Sequence, residues 1–147
     1  MKKLLYLFSL ASFIFISCKK EVHSIVGIWE PTSVTIHIHE EEFTSTGQLL
    51  YSYDTTLSMT PEQFGVSGNI EFTNQSDVII TSNNGYIETN NYTISANTLT
   101  IIDSDGNSNN ILTYTVSKTN LSLTMSITEI DGTTTNTREE TIHCIKQ

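Results

Sequence analysis

Four histidines, 16 acidic side chains and two cysteines are the groups from which this 147-residue chain could build reactive chemistry. The densest cluster is His37-Ile38-His39-Glu40-Glu41-Glu42. Alternate residues of a strand share a face, so His37, His39 and Glu41 project together at a spacing that suits zinc. The competing reading is a solvated face opposite Val34, Ile36 and Ile38, where histidine sits comfortably, and no metal is assigned. The segment Asp103-Ser104-Asp105-Gly106-Asn107 suggests a calcium loop at first glance. Its glycine comes too early, however, and Tyr114 stands where the terminal Glu belongs, so a hairpin loop is expected. Gly65-Val66-Ser67-Gly68 has the wrong spacing for a nucleophile elbow, and no histidine stands in a motif that poises it as a base. Glu40 to Glu42 and Glu139-Glu140 read as solvated charge runs, and phosphate-cradling glycine loops are absent. No catalytic residue and no cofactor is assigned, and the chain is expected not to be an enzyme.

Cys18 is the residue with the most definite chemistry. Lys2 and Lys3 precede an uncharged run from Leu4 to Ile16, too short to span a bilayer and the right length for a signal-peptide core. Phe15-Ile16-Ser17-Cys18 resembles a bacterial lipobox, with a small residue before the cysteine. That resemblance implies that residues 1–17 are a signal peptide and that the Cys18 thiolate takes a diacylglyceryl group and becomes the N-terminus. Each buried methylene of its palmitate-like chains would contribute about 0.8 kcal/mol, so two or three chains anchor firmly. The alternative is an ordinary secretory signal with a coincidental cysteine. Residues 18–24 then form a tether, in which Lys19 to His23 reach about 17 Å at full extension, and residues 25–147 form the domain. The expected location is the cell envelope, lipid-anchored, at the outer membrane. With Cys18 committed to lipid, Cys144 has no intrachain partner and is expected to be a packed, unreactive thiol.

Loss of Lys2 and Lys3 moves the net charge from −9 to −11. Such an acidic domain is a poor match for nucleic acid, which needs clustered Lys and Arg to displace counterions. From Cys18 onward there are 16 Ile and 23 Thr but one Ala, a balance that excludes a helical bundle. Period-2 alternation predicts strands near 27–39, 47–54, 68–73, 77–82, 86–95, 98–102, 111–117, 120–128 and 135–145. The links between them, Asn83-Asn84-Gly85 and Asp131-Gly132 among them, are too short for parallel crossovers, so the strands must form an antiparallel meander. One helical turn is expected at Thr60-Pro61-Glu62-Gln63, with Thr as cap, Pro at the first position and Gly65 as the stop. Residues Tyr92–Ile101 are nearly repeated as Tyr114–Leu123, each copy a strand, a tight turn and a strand. The fold class is therefore all-β, an up-and-down barrel of about eight strands, with a β-sandwich as the alternative.

Gly27-Ile28-Trp29 and the pattern Tyr-x-Ile-x-x-Asn-x-Leu-x-Ile resemble a lipocalin-like domain family of small bacterial lipoproteins. The resemblance implies a barrel plugged at one end by Trp29. Trp29 has odd parity whereas Val34, Ile36 and Ile38 are even, so a bulge near Pro31 is expected to bring both sets inward. Trp29, Phe72, Tyr92 and Tyr114 are the expected ligand-binding residues. Ile70, Ile94, Leu99, Ile101, Leu112, Val116, Leu121, Leu123 and Met125 are expected inward beside them. An eight-stranded barrel either fills with side chains or holds one small ligand, and Phe43 to Phe64 is expected to cap its mouth. Two functions follow. One is a membrane-anchored barrel that binds a small, largely apolar molecule in the envelope. The other is a non-catalytic interaction protein with a filled barrel that contacts another envelope protein.

Overall fold

A computed structural model describes residues 23–104 and 108–147 of the chain. Residues 1–17, expected to be a signal peptide, Cys18 and the centre of the Asp103–Asn107 loop lie outside the described residues. Among the described residues nine strands run β1 Gly27–Phe43, β2 Leu49–Met59, β3 Asn69–Phe72, β4 Asp77–Thr81, β5 Ile87–Ser95, β6 Thr98–Ile102, β7 Asn109–Val116, β8 Asn120–Asp131 and β9 Thr134–Lys146. A four-residue helix, α1 (Pro61–Phe64), lies between β2 and β3. Every neighbouring pair is antiparallel, and β9 returns to pair with β1 from Trp29–Lys146 to Glu42–Thr134. The strands β1 and β3 to β9 thereby close an eight-stranded barrel, with β2 as one extra strand, and the sandwich alternative is excluded. Among the described residues no helix is long and apolar enough to cross a membrane.

The extra strand follows from an interruption. β2 runs antiparallel to β1 from Phe43–Leu49 to Val34–Met59, and β3 resumes on the same side of β1 at Trp29–Ile70. β2 and β3 are thus two halves of one partner to β1, parted by the excursion Thr60–Gly68. The Thr60 hydroxyl accepts from Gln63 N and the Gln63 side chain accepts from Thr60 N, the reciprocal cap expected from the sequence. Most of the segment from Phe43 to Phe64 therefore builds a sheet rather than a cap over the mouth. Only α1 returns towards the barrel.

Strand length sets the shape. β1 spans 17 residues, about 55 Å of extended chain, whereas β3, β4 and β6 have four or five. β8 pairs with β7 only as far as Thr124 but with β9 as far as Asp131. The order β2-β1-β9-β8 consequently extends beyond the barrel as a four-stranded sheet with two free edges.

The parity conflict at the start of β1 is resolved as anticipated. Pairing with β9 slips between Pro31 and Ser33, so Thr32 is an added residue, and its hydroxyl donates to His143 O at 3.1 Å. Trp29 and Pro31 point inward before the slip and Val34 and Ile36 after it, all four buried. Ile25, Trp29, Ile70, Phe72, Val78, Tyr92, Leu99, Leu121, Leu123 and Cys144 form the core. The rings of Phe72 and Tyr92 meet edge to face at 5.2 Å. Ile94, expected inward, lies past the packed layer at the end of β5 and is 42% exposed.

Burial pushes the Cys144 thiol up to about 12, far from the range in which a thiolate forms at neutral pH. Cys144 should therefore resist alkylation in the folded chain at pH 8 and label rapidly in urea. Fast labelling without denaturant would show that this end of the barrel opens.

Candidate functional site

The barrel is packed at the end that holds Trp29 and hollow at the other. A cavity of about 240 Å³ lies at the mouth, walled by Phe64, Ile80, Ile101, Leu112, Leu123, Met125 and Ile142. Its remaining lining is polar: Glu88, Asn90, Asp103, Asn110 and Glu140. Three of these occupy inward register positions, each facing an aliphatic partner across the sheet: Glu88 opposite Ile80, Asn110 opposite Ile101 and Glu140 opposite Met125. The mouth is thus a ring in which apolar and polar side chains alternate. Phe64 reaches it from α1, the single aromatic among the described residues that line it.

The polar groups are tied to one another. Asn90, 4% exposed, donates from Nδ2 to Glu88 Oε1 at 2.7 Å, and its Oδ1 accepts from Ser104 N at 3.0 Å. Asn110 Nδ2 donates to Asp103 Oδ1 at 3.3 Å. Glu140, whose side chain is 13% exposed, pairs with the Arg138 guanidinium two residues outward on β9. These contacts hold the carboxylates in place at the rim, as preorganised polar groups in a mostly apolar pocket do.

The four aromatic residues expected to bind a ligand are brought together, but at the opposite end. Trp29, Phe72 and Tyr92 are buried in the core, and Tyr114 packs against it half-buried. Trp29 Nε1 donates to Ile25 O at 2.7 Å, and Lys146 Nζ stands 5.3 Å from the ring centroid. The Tyr92 hydroxyl donates to Thr73 O at 2.9 Å and the Tyr114 hydroxyl to Ala96 O at 3.3 Å. None of the four lines the mouth cavity. The acidic lining escaped the sequence reading, although a signal existed. Glu88 shares parity with Tyr92, and Glu140 shares parity with Ile142 and Cys144, so each stands among residues whose partners point inward. Glu140 is accordingly no part of a solvated run.

His37, His39 and Glu41 do share a face of β1, but they turn to each other and to β2. His37 Nε2 lies 2.9 Å from Asp54 Oδ1, His39 Nδ1 lies 3.3 Å from Asp54 Oδ2, and His39 Nε2 lies 3.4 Å from Glu41 Oε1. Among the described residues no three His, Cys, Asp or Glu side chains are grouped to hold a metal ion. Hydrogen bonding from His37, reinforced by its charge and by His39, holds the Asp54 carboxyl below its ordinary 3.8. Because the folded value is the lower one, this pairing favours the fold above pH 3.8 and is lost as the pH falls through the depressed value. An NMR titration should place the Asp54 midpoint below 3.8 and return it towards 3.8 in His37→Ala. An unchanged midpoint in that variant would remove His37 as the cause.

In comparisons with protein-family models, curated proteins and solved structures, nothing matches the chain.

Proposed function

We propose that this protein is a lipid-anchored envelope lipoprotein, non-catalytic, whose barrel binds a small, largely apolar molecule. The observation that carries the reading is the mouth cavity, an apolar recess with a few fixed polar groups at the open end of a packed barrel. The lipobox-like Phe15-Ile16-Ser17-Cys18 supports the anchor, with Cys18 carrying the lipid and the outer membrane as the destination. The G-x-W opening at Gly27–Trp29 supports kinship with lipocalin-like lipoproteins, whose barrels carry small molecules. The described chain enters β1 at Gly27, at the plugged end, opposite the hollow mouth. At about 240 Å³ the recess is smaller than the roughly 300–1,000 Å³ of drug-sized ligand sites, so the occupant is small. Native mass spectrometry of the chain extracted gently from its own membrane tests the reading. A discrete extra mass that is lost on denaturation is expected. An apo mass that stays unchanged after incubation with small apolar probes would count against it.

A second reading has its own observation. Leu49, Leu50, Tyr51, Tyr53, Leu57, Ile127 and Ile130 are exposed on the projecting sheet, and its edges at β2 and β8 carry unpaired backbone groups. Exposed apolar side chains beside a free edge suit contact with another envelope protein. Crosslinking from Tyr51 or Ile127 should then capture one specific partner, and recovery of only abundant bystanders would count against this reading.

A further inference from the structure

The polar half of the mouth ring has one sign of charge. Glu88 on β5, Asp103 after β6 and Glu140 on β9 bring three carboxylates to one small recess, and among the described residues no Lys, Arg or His lines it. Arg138 answers Glu140 from outside the recess. Among the described residues no ammonium or guanidinium reaches Glu88 or Asp103, which accept hydrogen bonds from the neutral amides of Asn90 and Asn110. The placement runs against the inside-outside pattern of the strands. Glu88 and Glu140 stand at inward positions, each paired across the sheet with an aliphatic residue. A barrel built only to be filled would place aliphatic residues there, because partial burial of a carboxylate costs free energy that only a partner offsets. Local conflicts of this kind mark sites that act on something else.

We propose that the mouth cavity takes a small molecule with an apolar body and a protonated amine, the body among Ile80, Leu112, Leu123 and Ile142 and the ammonium against Glu88, Asp103 and Glu140. The assignment rests on the reading of the barrel as a binding module and adds the charge of its ligand. An ammonium supplies three donors and no acceptor, which suits a rim that presents carboxylate oxygens. A carboxylate or phosphate ligand would meet like charge without a compensating cation. The strong acidity of the chain, −9 overall, favours approach of the same class of molecule.

The test uses the full chain in lipid nanodiscs and three probes that share one ring: benzylammonium, benzyl alcohol and benzoate. Binding is read from the methyl resonances of Ile80, Leu112, Leu123, Met125 and Ile142. Benzylammonium should bind at least about tenfold more tightly than benzyl alcohol, in keeping with the strength of hydrogen bonds to charged groups, and benzoate should be rejected. The double variant Glu88→Gln/Glu140→Gln should bring the cation and the alcohol to within about threefold while alcohol binding persists. Retained alcohol binding shows that the variant still has its cavity. Equal affinity of cation and alcohol in the unaltered chain would overturn the charge assignment and leave the binding module standing. Failure of all three probes to move these methyls would overturn both.

Discussion

Replacing Trp29 by alanine is expected to cost about 3–5 kcal/mol, the range for removing a buried aromatic side chain from a packed core. Trp29 is fully buried in the barrel end, surrounded by the cluster that includes Ile25, Phe72, Leu121 and Cys144. Its removal loses the transfer free energy of the indole and leaves a void. It also strands Ile25 O, which accepts from Nε1 at 2.7 Å, and removes the ring beneath Lys146 Nζ. A domain of this size has only some 5–15 kcal/mol in hand, so the variant loses a large share of its stability. Trp29→Phe keeps much of the volume but not the N–H, so it should cost less than alanine does. Since the chain has one tryptophan, urea unfolding should be followed by circular dichroism rather than by fluorescence. A change under about 1 kcal/mol in Trp29→Ala would mean that the plug is not what holds the barrel closed.

Gly68→Ala should be nearly as damaging, for a different reason. Gly68 closes the excursion between β2 and β3 with φ +95°, in the left-handed region that an L side chain rarely adopts. A Cβ there would sit 1.7 Å from Thr81 O, 2.7 Å from Thr81 C and 3.0 Å from Ser82 Cα. All three are backbone atoms at the end of β4, so no rotamer change relieves the clash. The conformational penalty of about 1–2 kcal/mol adds to an overpacking cost of about 1–3 kcal/mol, giving roughly 3 kcal/mol. Gly132→Ala is the matched control. It has φ +61° but meets nothing within 4 Å, so only the conformational part of about 1 kcal/mol is expected. Hydrogen exchange should show the loss of protection in Gly68→Ala concentrated in β3, β4 and the turn after them. Equal costs for the two variants would refute the steric argument.

The local elements were legible because their causes are local. Turn chemistry at Asn83-Asn84-Gly85 and Asp131-Gly132 and alternation along each run placed all nine strands, several to within a residue or two. The Thr60–Gln63 cap needs only four consecutive residues, and the structure contains it. Even the slip beside Pro31 was implied, since Trp29 and Val34 could not otherwise both be buried. The carriage of β1 on to Phe43 and of β2 on to Met59 was less visible. Glu40 to Glu42 and Thr55 to Ser58 have little alternation of their own; pairing of the first with Tyr51 to Tyr53 and with Thr134 to Asn136 on β9, and of the second with Thr35 to Ile38, sustains them as strands.

What the sequence determined by itself is therefore the set of strands, their antiparallel linkage and the side of each strand that a given residue takes, because period and turn type act over a few residues. Only the tertiary structure decided which end of the barrel is filled, that β9 closes on β1, and that four strands project beyond the mouth. It also decided that Glu88, Asp103 and Glu140 line one recess. Glu88 and Glu140 lie on separate strands and Asp103 in the loop after a third, and they reach one recess through a register running once around the sheet. Alternation states which residues share a face; it does not state which layer of a closed barrel they enter. That depends on where each strand begins against its neighbour, and so on the packing of Trp29, Phe72 and Leu121 that sets the whole stack.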